Sequence, residues 1–531
     1  MAYRLGIDVG GTNTDAVILD DENRPVAKAK TPTTSDITKG IVGVLSKVLD
    51  ESRVDSSLIH YAMLGTTHCT NAIVERKRLS KVAVMRIGAP ATLAIKPLAG
   101  WPEDLKQAMG GLCYVFDGGH EYDGRRIAPL AEAAISQTAH DLAGKVDAVA
   151  ICSVFSPVNP EDELRAAEIV REQMGHVPVS LSHEIASIGL LERENATVLN
   201  AAVVNLAKNV AGAFSDALKE RRIEAKAYFG QNDGTLMSVD YAVRYPILTI
   251  ASGPTNSIRG AAFLSGLRDA LVVDVGGTTT DVGVLSNMFP RESSVAVEIG
   301  GVRTNFRMPD LISMGLGGGS IVRRGEGGVT IGPDSVGYRL EQEAIVFGGK
   351  SLTSTDIAVS LGLFSLGDPG LLGGFERQFV REAHRRMVVM VEDVIDRMKT
   401  SAGDVPVVVV GGGSILVPDK LEGASDVIRP DHFEVANAIG AAIAQVSGQI
   451  ERVFSLEKLS REETLEQAKG MAIDEAVKAG ADPGTVEIVE VDDVPLAYLP
   501  GNATRIRVKA AGNLKRLRGG GAPPPAVREC G

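Results

Sequence analysis

Residues 7–15 read IDVGGTNTD, and far downstream residues 273–281 read VDVGGTTTD. Across Ile7–Leu19 and Val273–Leu285 the shared letters are Asp, Val, Gly, Gly, Thr, Thr, Asp and Leu at matching positions. A phrase written twice in one chain predicts a duplicated fold, with one copy in each half. Each copy is an apolar strand that delivers an Asp, turns on two glycines and leaves through hydroxyl residues. Such a turn exposes backbone N–H groups, and its glycines let the backbone come close to phosphate oxygens. Gly10, Gly11, Thr12, Asn13 and Thr14 in the first copy, and Gly276, Gly277, Thr278, Thr279 and Thr280 in the second, are the candidate phosphate contacts. Asp8 and Asp274, at the strand ends, are candidates to hold Mg²⁺ directly or through its waters. The trailing Asp15 and Asp281 are the candidates to orient a nucleophile or accept a proton.

Short apolar runs ending in Gly/Thr/Ser turns, such as VAVMRIG, VDAVAICSVF and VPVVVVGGGS, alternate with helical patterns throughout. This rhythm predicts an α/β protein. The stretch 35–51 has a helical apolar spacing behind Ser35, and 159–175 opens on acidic residues and closes on Gly175, the polarity of a helix. The expected organisation is a first half over 1–190, a second over 191–450 and a small C-terminal α/β segment over 451–531 with a flexible tail. Residues 85–130 break the rhythm and are expected to be an insertion in the first half. With a formal charge of −12 and no broad basic surface, nucleic-acid binding is disfavoured. The cysteines at 69, 113, 152 and 530 have no metal-binding or disulfide spacing, and no run is long enough to span a membrane. These features suit a cytoplasmic protein.

The two DxGGTxxD hairpins resemble the phosphate-binding loops of the actin-like ATPases, which grip a nucleotide between two RNase H-like domains. That resemblance implies ATP and Mg²⁺ as cofactors. VDAVAICSVFSPVNPEDE (146–163) is similar to the first connecting segment of those proteins, which makes Glu163 a candidate metal- or water-orienting carboxylate. VPVVVVGGGSILVP (405–418) is similar to their adenosine-binding turn, with Gly411, Gly412, Gly413 and Ser414 against the nucleoside, and HFEVANAIGAA (432–442) to the second connecting helix.

More narrowly, LGTTHCTNAIVERK (64–77), SHEIASIGLLERENATVLNAAV (182–203), SGPTNSIRGAAFL (252–264), MGLGGGSIVRR (314–324) and TSTDIAV (353–359) resemble signatures of the A-type subunits of the hydantoinase/oxoprolinase family. Leu64 stands where the family usually has His, and YRLEQEAIVFGG (338–349) replaces its DPGPACYG run, differences that suit a shorter subfamily. The resemblance implies an ATP-dependent hydrolase that phosphorylates the carbonyl oxygen of a cyclic amide such as a hydantoin, 5-oxoproline or a lactam. It also implies a separate B-type subunit; a homo-oligomer is open as well. A ketone carboxylase subunit or small-molecule kinase of the same fold, and a nucleotide-switched binding protein, are the competing readings.

In GTTHCTN, Thr66, Thr67, His68 and Asn71 gather hydroxyl, imidazole and amide groups on one loop, either facing substrate or simply building the turn before a helix. Asn71 is carried as a catalytic candidate, and Thr66, Thr67, His68 and Arg76 as substrate contacts. Gly317 and Gly318 of GLGGGS are candidate nucleotide contacts. GGHEYDGR (118–125) has the letters of a metal site but reads better as an Asp-Gly turn. Cys69 lacks an evident activating base.

Overall fold

The computed structural model describes residues 2–515 apart from 35, 294–296, 307, 326–327, 458 and 498–500. The expected tail and Cys530 lie outside the described residues, as does Ser35; the helix Ile37–Ser52 is instead capped by Asp36, whose side chain accepts from the Lys39 N–H.

The duplication is written into the sheet order. In the first half, β1 (Tyr3–Val9), β2 (Asn13–Leu19) and β3 (Pro25–Pro32) form an antiparallel meander, and β4 (Ile59–Thr66) joins β1 in parallel. The chain then leaves for residues 67–225 before β9 (Lys226–Gly230) adds in parallel beside β4. In the second half, β11 (Ala270–Val275), β12 (Thr280–Ser286) and β16 (Leu311–Met314) form the meander, and β19 (Val405–Val410) and β20 (Ala424–Ile428) follow in parallel. The orders β3-β2-β1-β4-β9 and β16-β12-β11-β19-β20 are the same, strand for strand and direction for direction. This is the duplicated actin-like ATPase architecture.

Three expected boundaries differ. The excursion between β4 and β9 is more than a loop: β5 (Val82–Ala89), β6 (Leu112–Asp117), β7 (Ala148–Ser153) and β8 (Val179–Leu181) build an all-parallel sheet in the order β6-β5-β7-β8. Strand β5 is buried along its whole length, because helices cover both faces, as parallel sheets require. The helix Leu190–Glu220, with β9 and β10 (Leu236–Ser238), belongs with the first half, so the second half begins near residue 270. The C-terminal segment is not separate either. Strands β21 (Val446–Phe454), β22 (Glu487–Pro495) and β23 (Thr504–Gly512) extend the first sheet to nine strands beyond β10. Smaller elements decorate the second half: β13 (Phe289–Pro290) on β12, and the hairpins β14 (Val297–Ile299) with β15 (Val302–Thr304) and β17 (Ser320–Gly325) with β18 (Gly328–Ser335).

The halves are joined through two helices, Ser252–Ser265 leading out of the first and Ala436–Ile443 returning to it. They approach to backbone contact. A methyl on Gly260 would lie 1.9 Å from the Ala436 carbonyl oxygen, and one on Gly440 only 1.8 Å from that of Asn256. Gly6 of β1 makes room for the same returning helix, since a methyl there would lie 2.2 Å from the Ala438 carbonyl. Gly440→Ala is therefore expected to destabilise the protein by about 1–3 kcal/mol, the usual cost of overpacking. Gly470→Ala, in the helix Arg461–Ala479 with open space around it, should be neutral or mildly stabilising. Urea unfolding midpoints decide this; equal midpoints for the two variants would contradict the close crossing.

Candidate functional site

Strand register creates the site. Asp8 pairs with Asp15 across β1 and β2, and Asp274 with Asp281 across β11 and β12. The two hairpins then meet loop to loop, for a methyl on Gly277 would lie 2.6 Å from the Thr12 side chain. Four carboxylates so converge, Asp8 and Asp15 almost fully buried, Asp274 and Asp281 keeping a partly open face.

Each row continues onto a third strand, and there the halves part. Asp15 faces Lys30 of β3 in register, and the Lys30 ammonium lies 2.8 Å from its Oδ1. Asp281 faces Ser313 of β16, which offers only a hydroxyl hydrogen bond. A cation neutralises; a hydroxyl does not. Desolvation, only partly opposed by Ser313 and reinforced by the charge of Asp274, pushes the Asp281 carboxyl up to about 7. Asp8 is likewise raised to about 7 by burial and then by Asp15, against the lowering effect of Asn256. Asp274 is raised by burial, with Ser257 and Lys30 opposing.

The two joining helices supply the polar partners. From Ser252–Ser265, Asn256 Nδ2 donates to Asp8 at 3.3 Å, and the adjacent Ser257 hydroxyl donates to Asp274 at 2.6 Å. From Ala436–Ile443, Asn437 Nδ2 donates to Asp8 and Asp15, both at 3.0 Å. Asn256, Ser257, Asn437 and Lys30 were not picked out from sequence, although SGPTNSIRGAA and EVANAIGAA contain three of them. Their signal was a polar side chain in an otherwise small-residue helix.

The loop candidates divide into those that face the cleft and those that brace it. Gly10 and Gly276 form matching turns, their N–H groups donating to the Asn13 and Thr279 carbonyls at 3.0 and 2.9 Å. Gly11 and Thr279 are exposed at the tips, and Asn13, Gly277 and Thr278 are half-buried. Thr14 and Thr280 are buried with hydroxyls turned inward, to Thr33 and to the Leu316 carbonyl, because alternation along a strand sends them to the core side. Gly317 and Gly318 are also bracing residues. The Gly317 N–H donates to Ser320 Oγ and the Gly318 N–H to the Gly276 carbonyl, so neither remains for a ligand. Gly411 (φ +87°) and Gly413 lie against Asp274 and Val275 so closely that no side chain fits, while Gly412 is exposed.

Glu163 does not join the cluster. It lies in the helix Glu161–Met174 behind the inserted parallel sheet, accepting from the Ser153 N–H, the Ser182 hydroxyl, and the His183 N–H and Nδ1. The segment 146–163 is β7 and its crossover helix, so the carboxylate closes that sheet's carboxyl edge. Arg76 contacts Asp104, the Ile73 and Val74 carbonyls and the Gly300 carbonyl, so each guanidinium nitrogen has a protein partner.

Thr66, Thr67 and His68 do end beside the cluster, because Gly65 is the register partner of Asp8. The Ser252 hydroxyl donates to the Thr66 carbonyl, and His68 Nδ1 lies 2.6 Å from the Thr66 hydroxyl. Burial lowers the His68 imidazole to about 4, so it is neutral. Asn71 sits in the first turn of the helix His68–Glu75, its amide donating to the Thr67 hydroxyl. Burial lifts the Cys69 thiol to about 11, which removes it as a nucleophile at neutral pH. GGHEYDGR is a turn in which Arg125 pairs with Asp123.

The cleft fits a nucleotide phosphate chain. Thr12 Oγ1, Asn256 Oδ1 and Ser414 Oγ are buried around it without a hydrogen-bond partner, and such atoms are left for a bound group to satisfy. Among the described residues no three Asp, Glu, His or Cys side chains gather to hold a metal ion. Asp8 and Asp274 thus suit Mg²⁺ only in its usual manner, where waters and phosphates complete the shell.

The raised carboxyls make stability depend on pH. A carboxyl near 7 in the folded state still binds a proton that the unfolded chain releases near 4, so its contribution is lost as pH rises through about 7. The thermal midpoint of the nucleotide-free protein is expected to fall between about pH 5 and pH 8, and Asp281→Asn to reduce that fall. An unchanged slope in the variant would show that Asp281 is not the titrating group.

Comparison with known proteins agrees with this architecture. The model of the hydantoinase/oxoprolinase N-terminal region matches residues 4–174, and the hydantoinase/oxoprolinase model matches residues 193–367. The caprolactamase subunit alpha of Pseudomonas jessenii is 30% identical over 404 residues, covering 70% of this chain and 56% of the relative. The acetophenone carboxylase gamma subunit of Aromatoleum aromaticum is 28% identical over 401 residues, covering 67% and 53%. The chain thus spans about half the length of the curated relatives it matches. The crystal structure of ATP-dependent caprolactamase from Pseudomonas jessenii superposes with a TM-score of 0.72 at 20% identity, covering 97% of this chain and 88% of that one. Nucleotide-free acetone carboxylase gives 0.70 at 18%, with the same coverage. Among the described residues no helix is long and apolar enough to cross a membrane. With both of its family regions present and the duplicated hairpins meeting at one cleft, the chain belongs to the hydantoinase/oxoprolinase family.

Proposed function

We propose that the protein uses Mg-ATP to phosphorylate the carbonyl oxygen of a small cyclic amide, as the ATP-dependent subunit of a hydrolase that opens the ring. The observation that carries this reading is the convergence of Asp8, Asp15, Asp274 and Asp281 where the two glycine loops meet. Resonance makes an amide carbon a poor electrophile and its oxygen the nucleophilic atom. In the proposed step that oxygen bonds to the terminal phosphorus as the bond from phosphorus to the bridging oxygen breaks. The ring nitrogen loses its proton to Asp281, leaving a phosphorylated imidate. Phosphoryl transfer depends chiefly on positioning and charge neutralisation. Bound Mg²⁺ would neutralise phosphate charge, with Asp8 and Asp274 holding it through water.

Of the two trailing aspartates, Asp281 is the stronger base candidate. A carboxylate near 7 binds a proton far better than an ordinary one, whereas Asp15 is occupied by Lys30. Neutral His68 and the Thr66 and Thr67 hydroxyls, beside Asp8, form the proposed substrate face. A B-type partner completing hydrolysis fits relatives that carry subunit names. The second reading, ATP-dependent activation of a ketone for carboxylation, draws on the acetophenone carboxylase likeness; a cytoplasmic location is part of the same proposal.

Purified protein, alone and with a candidate partner subunit, is expected to show ATP turnover stimulated by a member of a panel of lactams, hydantoins and 5-oxoproline. Asp281→Asn should lower the stimulated rate by about 10²–10⁴-fold, the scale of general-base removal, and Asp8→Ala should abolish it. Stimulation by ketone with bicarbonate, and by no cyclic amide, would select the carboxylase reading. Full ATP turnover in Asp8→Ala would reject the cleft itself.

A further inference from the structure

The four carboxylates face one ammonium. Among the described residues no lysine, arginine or histidine other than Lys30 forms an ion pair with Asp8, Asp15, Asp274 or Asp281. Lys30 ends the row Asp8–Asp15–Lys30 across three adjacent strands. Its side chain also reaches the other half: the position a Gly412 methyl would take is 3.7 Å from Lys30 Nζ. Its charge acts on Asp274 as well as on Asp15. Lys30 therefore stands where strand β3 of one half meets the glycine turn of the other, with about a third of its side chain exposed while Asp15 is 5% exposed.

A polyanionic phosphate chain entering a cleft walled by carboxylates needs counter-charge from the protein. A lysine on a flexible stem has three donors, and its compact charge suits phosphate oxygens. Asp15 does not depend on it alone, because Asn437 holds its other oxygen at 3.0 Å. We propose that Lys30 is the phosphate-binding lysine of this cleft and exchanges Asp15 for a phosphate oxygen when nucleotide binds. The inference rests on the cleft being a nucleotide site and adds the residue that reads the phosphates.

Calorimetric titration of the full chain with adenosine, ADP and a non-hydrolysable ATP analogue tests it. Lys30→Met should weaken the ATP analogue about 10- to 100-fold, the scale of a lost charge-assisted hydrogen bond, and leave adenosine unchanged. Lys30→Arg should restore most of that loss. Asp15→Asn, by freeing Lys30, should tighten the analogue in the wild-type background but not in Lys30→Met. Equal weakening of adenosine and the analogue would mean a purely structural lysine and overturn the proposal. So would an Asp15→Asn effect that persists without Lys30, or unaltered analogue binding in Lys30→Met. Failure of the unsubstituted protein to bind any of the three would instead remove the nucleotide reading, and this inference with it.

Discussion

Two adjacent side chains on one helix hold the site together. Asn256 donates to Asp8 of the first half and Ser257 to Asp274 of the second. Carboxylates desolvated at a domain junction repel one another, and each needs a donor or a proton. By binding one aspartate from each half, the helix Ser252–Ser265 couples the spacing of the hairpins to its own position. That position is fixed by the crossing with Ala436–Ile443, where Gly260 and Gly440 bring the backbones into contact. Asn437, on the second helix, then falls between Asp8 and Asp15. The helix crossing, the amide donors and the carboxylate cluster form one mechanical unit.

The duplication is symmetrical in backbone and asymmetrical in charge. Both meanders place two aspartates in register, but the third strand contributes Lys30 in one half and Ser313 in the other. One ion pair against one hydroxyl separates a committed carboxylate from one poised near neutrality. Duplicated halves acquire different chemistry in this way without altering the fold, because the change lies at one cross-strand position.

The inserted parallel sheet has its own logic. Glu163 completes a buried polar network with Ser153, Ser182, His183 and, through Ser182 and the Ser153 carbonyl, Arg193. Glu163 accepts from β7, from Ser182 and from His183, so the network holds β7, β8 and the helix Leu190–Glu220 at one edge. Read along the chain, 146–163 has the letters of a connecting segment; in space it is a strand and crossover helix of another sheet.

The sequence by itself determined the two hairpins, their aspartates and glycine turns, and the α/β class, because those rest on local rules of turn chemistry and strand periodicity. GTTHCT lies beside the cluster because β4 pairs with β1 in parallel, a placement made by strand register. Only the tertiary structure decided which hydroxyls and N–H groups of the loops are bonded within the protein, as those of Thr14, Thr280, Gly317 and Gly318 are. The partners of Arg76 and Glu163 were settled by the fold for a related reason: a charged side chain names its chemistry but not its partner. Lys30, Asn256, Ser257 and Asn437 come from one strand and two helices that touch only when strand register and helix crossing are fixed. Which aspartate is neutralised and which is left poised is a matter of those long-range contacts, and no local pattern encodes them.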